Sequence, residues 1–203
     1  MSFHRNPVAR AFLVASAFWL IAAAPQSSGA QQAKEVPSTR YTVGDFAYSI
    51  PKNWKRAFSS EAKDNSIVDY VPSSQTAGSW YDKITVVASV NKAKASVKSV
   101  SGFFASQFKK ECQRSEVKPA DMPKELEARM SVVFLRCWLP DPDMLPPGTM
   151  AKPYHAMLGA AYVEGDRIYL LQVNWRNDRP VEPADEQAKV DFAWAIIRTG
   201  RFK

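Results

Sequence analysis

The hydrophobic pattern of this chain centres on two apolar runs, rich in strand-forming residues, that flank Glu164-Gly165-Asp166-Arg167. A Gly-Asp pair between such runs is typical of a β-hairpin. In the run after the turn, Ile168, Leu170 and Gln172 alternate with Tyr169, Leu171, Val173 and Trp175, so the strand is apolar on nearly both faces. That pattern is typical of a central strand covered on each side. The sequence therefore predicts a central hairpin over residues 154–176.

Shorter patterns predict the elements around this hairpin. Apolar alternation predicts a strand pair over 41–50, broken near Gly44-Asp45, and further strands over 66–71, 83–90 and 130–137. Apolar residues at spacings of three and four predict an amphipathic helix over 96–111 and a last helix that ends at a C-cap, Gly200. Together these elements predict a single α+β domain over residues 41–203, with a central, mostly antiparallel, twisted β-sheet flanked by helices.

The N-terminal thirty residues have the pattern of a secretory signal peptide. Arg5 and Arg10 precede an apolar run over 11–24, and Ser28-Gly29-Ala30 supplies small residues for cleavage. The run is shorter than the roughly 20 residues that a membrane span needs, which favours cleavage over the alternative of a retained anchor. Residues 1–30 are thus predicted to be removed, leaving no stable membrane span, and the polar residues 31–40 are predicted to form a flexible tail.

The net charge of the chain adds little to these predictions. The chain of 203 residues carries a formal charge of +7, and loss of two arginines with residues 1–30 lowers it to +5. The lysines are scattered, whereas nucleic-acid binding needs a concentrated basic strip. The sequence therefore predicts no nucleic-acid partner and solvated surface lysines.

Both cysteines, Cys112 and Cys137, lie in the part predicted to be exported. Disulfides persist in oxidising compartments, and an even pair without CxxC spacing is typical of one structural bridge. We therefore predict a disulfide that joins the end of the first helix to the following strand, with two buried free thiols as the alternative.

Few residues support catalysis or metal binding. His155 is the one histidine after residue 30, and a lone histidine is more often structural than catalytic. Asp141 and Asp143 are too few for a calcium site, which needs six to eight oxygens. The sequence has no zinc-type spacing and no phosphate-binding loop. It predicts no cofactor, metal or catalytic residue, although a carboxylate pair distant in sequence stays open as an alternative.

Two stretches are candidates for contact with a protein partner. Trp80 and Tyr81 adjoin at a loop-to-strand junction, where the alternative is that one ring packs inward and the other is partly exposed. The proline-rich segment 139–153 carries Met144 and Leu145 near its middle. Its prolines oppose regular structure and keep apolar surface available, unless the segment packs on its own domain. We predict Trp80, Tyr81, Met144 and Leu145 as contact residues.

The order of elements resembles the PsbP/Mog1-like superfamily. The resemblance is carried by Phe46-x-Tyr48-x-Ile50-Pro51-x-x-Trp54, by the aromatic-striped helix, by the hairpin turning at Gly165 and by Phe192 and Trp194 in the last helix. It covers roughly residues 41–203, and the proline-rich segment and the cysteine pair depart from it. The resemblance implies an α/β/α sandwich and a role in binding rather than catalysis.

Two classes of function follow. The first is a periplasmic or secreted accessory or binding protein of the cell envelope, which acts without catalysis through protein–protein contacts. The alternative is a periplasmic enzyme or small-ligand-binding protein with an unrecognised site. A pocket with convergent carboxylates or a strongly perturbed His155 would favour the alternative. A filled core with an exposed apolar loop tip would favour the first class.

Overall fold

The structure is a computed structural model that describes residues 37–120, 122, 124, 127, 130–140 and 152–203. The described residues belong to one compact unit and form ten strands and two helices. The strands are β1 (Ser38–Val43), β2 (Phe46–Pro51), β3 (Trp54–Ala62), β4 (Asn65–Pro72), β5 (Asp82–Val90), β6 (Cys112–Pro119), β7 (Met130–Pro140), β8 (Tyr154–Glu164), β9 (Arg167–Asn177) and β10 (Arg201–Phe202). The helices are α1 (Val97–Lys110) and α2 (Pro183–Ile197).

A seven-stranded antiparallel sheet forms the centre of the fold. Its strand order is β3-β4-β5-β9-β8-β7-β6, so the predicted hairpin supplies β9 as the middle strand and β8 as its neighbour. Gly165 turns this hairpin at φ +56°, a left-handed conformation that suits glycine. The structure confirms the predicted α+β class and the antiparallel sheet.

The two helices cover opposite faces of this sheet. Phe108 of α1 packs in one apolar cluster with Met157 of β8, whereas Ile197 of α2 packs with Leu158. Successive residues of a strand point to opposite faces, so α1 and α2 lie on opposite sides. We call these the α1 face and the α2 face.

A second sheet shares the α2 face with the last helix. It has three strands in the order β1-β2-β10, and its middle strand carries Phe46, which is fully buried. The Phe46 ring lies 4.8 Å from that of Tyr162 and 4.9 Å from that of Tyr169, so it packs on the central hairpin. The predicted outer layer is thus shared between a helix and a small sheet.

The sequence pattern missed both edge strands of the large sheet. Strand β3 is exposed at most positions, and β6 consists mainly of polar residues. An edge strand is held by backbone hydrogen bonds to one neighbour, and charged side chains there prevent pairing with other chains. Neither strand therefore needs the apolar alternation on which the prediction relied.

Two predicted boundaries were also wrong. Strand β1 begins at Ser38, inside the segment 31–40 predicted to be a tail, and residues 31–36 lie outside the described residues. Helix α2 ends at Ile197 with Arg198 as its C-cap, so Gly200 is not the cap. A Cβ at Gly200 would lie 2.6 Å from the Tyr162 hydroxyl and 2.8 Å from the Phe46 ring. Glycine is needed there because the chain passes close to those rings.

Helix α1 has its predicted extent and a standard start. The Ser96 hydroxyl accepts a hydrogen bond from the Ser99 backbone N–H and caps the first turn. Lys109 and Lys110 lie in the last turn, where cations interact favourably with the helix dipole. Across the ranges that the structure describes, neither helix combines the length and the apolar content needed to cross a membrane.

Candidate functional site

A cavity of about 250 Å³ lies on the α1 face, beside the C-terminal end of α1. Its floor comes from β5, β9 and β8, which contribute Lys83, Asn174, Arg176 and His155. The strand register places these side chains together, because Lys83 pairs with Asn174 and His155 pairs with Arg176. Phe108 of α1 forms part of the opposite wall. The central strands thus place polar side chains in a cavity that α1 closes on one side.

The polar floor has a signal in the sequence, a stripe of polar residues in β9. Gln172, Asn174 and Arg176 occupy alternate positions of β9 and all line the cavity. Val173 and Trp175, between them, are buried on the α2 face. A polar stripe with a period of two in a central strand predicts a polar site on one face of a sheet.

Arg176 is the most unusual member of the cavity. Its side chain is 8% exposed, and its guanidinium carbon lies 3.7 Å from the centre of the Trp80 ring. Among the described residues, no carboxylate lies within 4.0 Å of the guanidinium and no acceptor bonds to it. Burial lowers the pKa of Arg176 to about 10, although the charge of Glu111 opposes this shift. Arg176 is therefore a buried cation without an ion-pair partner in the described structure.

Lys83 is a second cation of the cavity, and it is paired. Its ammonium group lies 3.2 Å from the Asp69 carboxylate and 4.6 Å from the centre of the Trp80 ring. The Thr85 hydroxyl also donates to Asp69, at 2.6 Å. Burial lowers the pKa of Lys83, while Asp69 opposes this shift. Asp69 therefore neutralises Lys83.

His155 lies between two aromatic rings, 5.8 Å from Trp80 and 5.4 Å from Phe108. Burial lowers the pKa of His155 to about 3, and the nearby charge of Arg176 adds to this shift. The ring is therefore neutral at neutral pH. Its Nε2 lies 3.3 Å from Oδ1 of Asn174, while Nδ2 of Asn174 is buried without a hydrogen-bond partner.

Among the described residues, carboxylates do not converge on this cavity. Glu111, at the C-cap of α1, is the one acidic residue among the described residues that line it, and it is exposed. Partial desolvation of its carboxyl group raises the pKa of Glu111, while the charges of Arg176 and Lys83 oppose this shift. Of the two features expected for a ligand site or enzyme, a perturbed His155 is therefore present, whereas the described residues provide no convergent carboxylates. Nor do any three His, Cys, Asp or Glu side chains of the described residues form a group that could hold a metal ion.

A disulfide closes one side of the cavity. Cys112 and Cys137 are bonded as predicted, and their Cα atoms lie 5.7 Å apart, within the range of about 4.4 to 6.8 Å that is usual for disulfides. Cys112 is the first residue of β6, directly after the C-cap of α1, and Cys137 lies in β7. The bond therefore fixes the end of α1 against the sheet.

Comparison with solved structures identifies the fold. No family model and no curated protein matches the sequence. The Ran-binding protein Mog1p of Saccharomyces cerevisiae matches with a TM-score of 0.52 and 9% identity, over 82% of this chain and 96% of Mog1p. A variant of Mog1 matches with a TM-score of 0.53 and 11% identity, over 81% of this chain and 95% of the other. The chain has a PsbP/Mog1-like fold.

A PsbP structure also matches, with less structural similarity. Cyanobacterial PsbP (CyanoP) from Synechocystis gives a TM-score of 0.48 and 8% identity, over 87% of this chain and 99% of that one. At such identities the likeness concerns the fold alone, so no site residue of Mog1 or PsbP is assigned to this chain.

On this PsbP/Mog1-like fold, the predicted contact pair divides between core and surface. Trp80 is 4% exposed and supports Arg176, so its ring forms part of the cavity and not of the outer surface. Tyr81 is 42% exposed. The alternative in which one ring packs inward therefore describes the pair.

Tyr81 adjoins the end of the proline-rich segment. Lys152 donates to the Tyr81 hydroxyl at 3.1 Å and to the Asp178 carboxylate at 2.5 Å, and its ammonium group lies 4.7 Å from the centre of the Tyr81 ring. The hydrogen bond to Asp178 raises the pKa of Lys152, and the same bond lowers the pKa of Asp178. Met144, Leu145, Asp141 and Asp143 lie outside the described residues.

Proposed function

We propose that this chain is an exported, non-catalytic accessory protein that binds another protein in the cell envelope. The contact surface comprises Tyr81 and the adjoining proline-rich segment with Met144 and Leu145. The observation that carries this proposal is the pose of Tyr81, a large exposed aromatic ring held by Lys152 and Asp178. Tyrosine is enriched among residues that dominate binding energy, and a ring held before binding loses less entropy on association.

The fold is compatible with a protein partner. A solved structure with the same fold is named a Ran-binding protein, so this architecture presents a protein-binding surface in at least one other chain. The similarity does not identify the partner of the present chain, because it extends to the fold alone.

The proposal of a non-catalytic role draws on the cavity residues. The lowered pKa of His155, about 3, meets one expectation for a ligand site or enzyme, but it also makes the ring a weak base at neutral pH, whereas general base catalysis is most efficient with a pKa near the working pH. The one acidic residue among the described lining residues, Glu111, has no second carboxylate beside it. These groups do not form an acid–base pair suited to turnover near pH 7.

Export is proposed from the N-terminal residues, and mass spectrometry tests it. The mature protein should begin at Gln31 and should be recovered from the periplasmic fraction. Recovery of the intact chain with residues 1–30 from that fraction would contradict cleavage. Recovery from the cytoplasm alone would contradict export.

The contact surface is tested by affinity capture with the full-length chain. Tyr81→Ala should remove the captured protein, as should Met144→Asp combined with Leu145→Asp. Phe103→Ala is the matched control, because Phe103 is 68% exposed but lies on α1. If the captured proteins are the same for wild type and both contact variants, Tyr81 and the segment are not the contact surface. A turnover that His155→Ala abolishes would contradict the non-catalytic role.

A further inference from the structure

The cavity on the α1 face contains a cation, Arg176, that has no ion-pair partner within 4.0 Å among the described residues. Arg176 is more than nine-tenths buried, and among the described residues it has neither an ion pair nor a hydrogen bond through its guanidinium group. A buried charge is unfavourable unless another charge or a polar group compensates it. Arg176 therefore has unused binding capacity directed into the cavity that it lines.

The stacking on Trp80 determines which part of Arg176 is available. The guanidinium carbon lies 3.7 Å from the centre of the indole ring, so one face of the planar group is covered. The N–H donors lie in the plane of the group, and their fork matches the two oxygens of a carboxylate.

Size and apolar lining restrict the ligand further. Pockets for drug-sized molecules measure about 300 to 1,000 Å³. This cavity, at about 250 Å³, suits a molecule with one small ring or a short chain. Phe104, Phe108 and Met157 supply apolar surface in the same cavity. An inorganic anion would leave that surface without a contact.

The charges of the neighbours favour a single negative charge. Asp69 already neutralises Lys83, so Arg176 is the remaining cation of the cavity. Glu111, an exposed residue that also lines the cavity, repels an anion in proportion to the anion's charge. A monoanion is therefore favoured over a phosphate dianion.

We propose that this cavity binds a small organic monocarboxylate. Its carboxylate lies against the edge of Arg176, and its apolar group packs between Phe104, Phe108 and Met157. This site is independent of the protein contact surface at Tyr81, since Tyr81 does not line the cavity.

Benzoate is the probe, and NMR with the full-length protein is the measurement. Benzoate should bind saturably and should shift the signals of the Trp80 indole N–H and the Asn174 side-chain amide. Benzamide has the same ring without the charge. It should bind about 10- to 100-fold more weakly, because this factor in affinity corresponds to the free energy of a charge-assisted hydrogen bond. Arg176→Gln should weaken benzoate binding by a similar factor.

Two further variants separate recognition from folding. Glu111→Gln removes the opposing charge at an exposed position and should strengthen benzoate binding. Arg167→Gln is the control, because the Arg167 side chain is 50% exposed at the other end of β9, and it should leave binding unchanged.

Several results would overturn the proposal. The first two compare ligands on the wild-type protein, so they do not depend on the folding of a variant. Equal affinity for benzoate and benzamide would overturn it, as would tighter binding of inorganic phosphate than of benzoate. Absence of saturable binding of both benzoate and hexanoate at millimolar concentration would also contradict it. So would unchanged benzoate affinity in a folded Arg176→Gln variant.

Discussion

Arg136 and Arg176 lie in strands of the same sheet but on opposite faces, and their guanidinium groups have different surroundings. Arg136, on the α2 face, donates from Nε to Glu186 at 3.1 Å and from Nη1 to Glu116 at 2.8 Å. Its Nη2 also donates to Glu186, whose carboxylate accepts a further hydrogen bond from the Tyr154 hydroxyl. Arg176, on the α1 face, has Trp80 beneath it and no acceptor among the described residues.

The pKa values of the two arginines reflect this difference in pairing. Burial opposes the charge of Arg136, but its hydrogen bonds to Glu186 and Glu116 outweigh burial and raise its pKa. Burial dominates at Arg176 and lowers its pKa to about 10. A buried arginine that the protein itself pairs stabilises the fold, whereas one that it leaves unpaired is suited to a ligand.

The disulfide on the α1 face should have the largest effect on stability. Replacing Cys112 and Cys137 with alanine removes a link across 25 residues, which in the chain-entropy model costs about 3.5 kcal/mol. Urea denaturation measures this loss, and the α1 face, which the bond holds, should lose its hydrogen-exchange protection first. As a control, reductant should destabilise the wild type and leave the double variant unchanged. A loss below about 1 kcal/mol would show that packing alone holds α1 in place.

The paired arginine, Arg136, should have the second largest effect on stability. Arg136→Met leaves the Glu186 carboxylate, with 10% of its side chain exposed, without its cation. Breaking a buried pair costs about 3 to 5 kcal/mol, and the 25% exposure of the Arg136 side chain reduces the expected loss to about 2 to 3 kcal/mol. Urea denaturation near pH 7 gives the value. If Arg136→Met is neutral, the contrast between the two arginines disappears.

The neutral state of His155 predicts how stability depends on pH. In the unfolded chain its pKa is about 6.5, whereas in the folded protein it is about 3. Between these values the unfolded state binds the extra proton, so this contribution is complete above pH 6.5 and falls as the pH decreases towards 3. The loss should be at most about 1.4 kcal/mol per pH unit, or about 2 kcal/mol at pH 5.

Comparison of wild type with His155→Gln isolates the contribution of His155 to the pH dependence of stability. The difference in urea stability between pH 7 and pH 5 should shrink by about 2 kcal/mol in the variant. An NMR titration of His155 should show no protonation near pH 6. Protonation at an ordinary pKa would mean that the cavity is open to water and less suited to an apolar ligand.

The unpaired arginine should have the smallest effect. Arg176→Met removes a buried charge without a partner, which is favourable, and loses the stacking on Trp80, which is unfavourable. These terms oppose each other, so urea stability should change by less than about 1 kcal/mol. A loss as large as that of Arg136→Met would mean that Arg176 has a structural role like that of Arg136, and it would weaken the inference of a ligand.

The sequence pattern predicted the parts of the fold that are buried. The hairpin of β8 and β9, the strand β5 and the helix α1 all lie close to their predicted bounds, because each has an apolar face with a clear period. The edge strands β3 and β6 were missed because backbone pairing, which leaves no hydrophobic period, holds them.

The candidate site was predictable only in part. His155 was considered and interpreted as structural, and the Trp80-Tyr81 pair was predicted as a contact site, but the roles of these residues depend on which way each side chain points. Trp80 was predicted as a contact residue and is instead buried beneath Arg176. Arg176 itself was passed over, because the stripe that it forms with Gln172 and Asn174 lies within a strand that is otherwise apolar.

By itself the sequence determined the class of the fold and the central hairpin, because burial and turn formation depend on local residue order. The tertiary structure alone decided that Lys83, His155, Asn174 and Arg176 meet, since strands distant in sequence bring them together through their register. It also decided that Arg136 is paired while Arg176 is not. The partners of a charge come from elements elsewhere in the chain, and no pattern along the sequence specifies which of them approach.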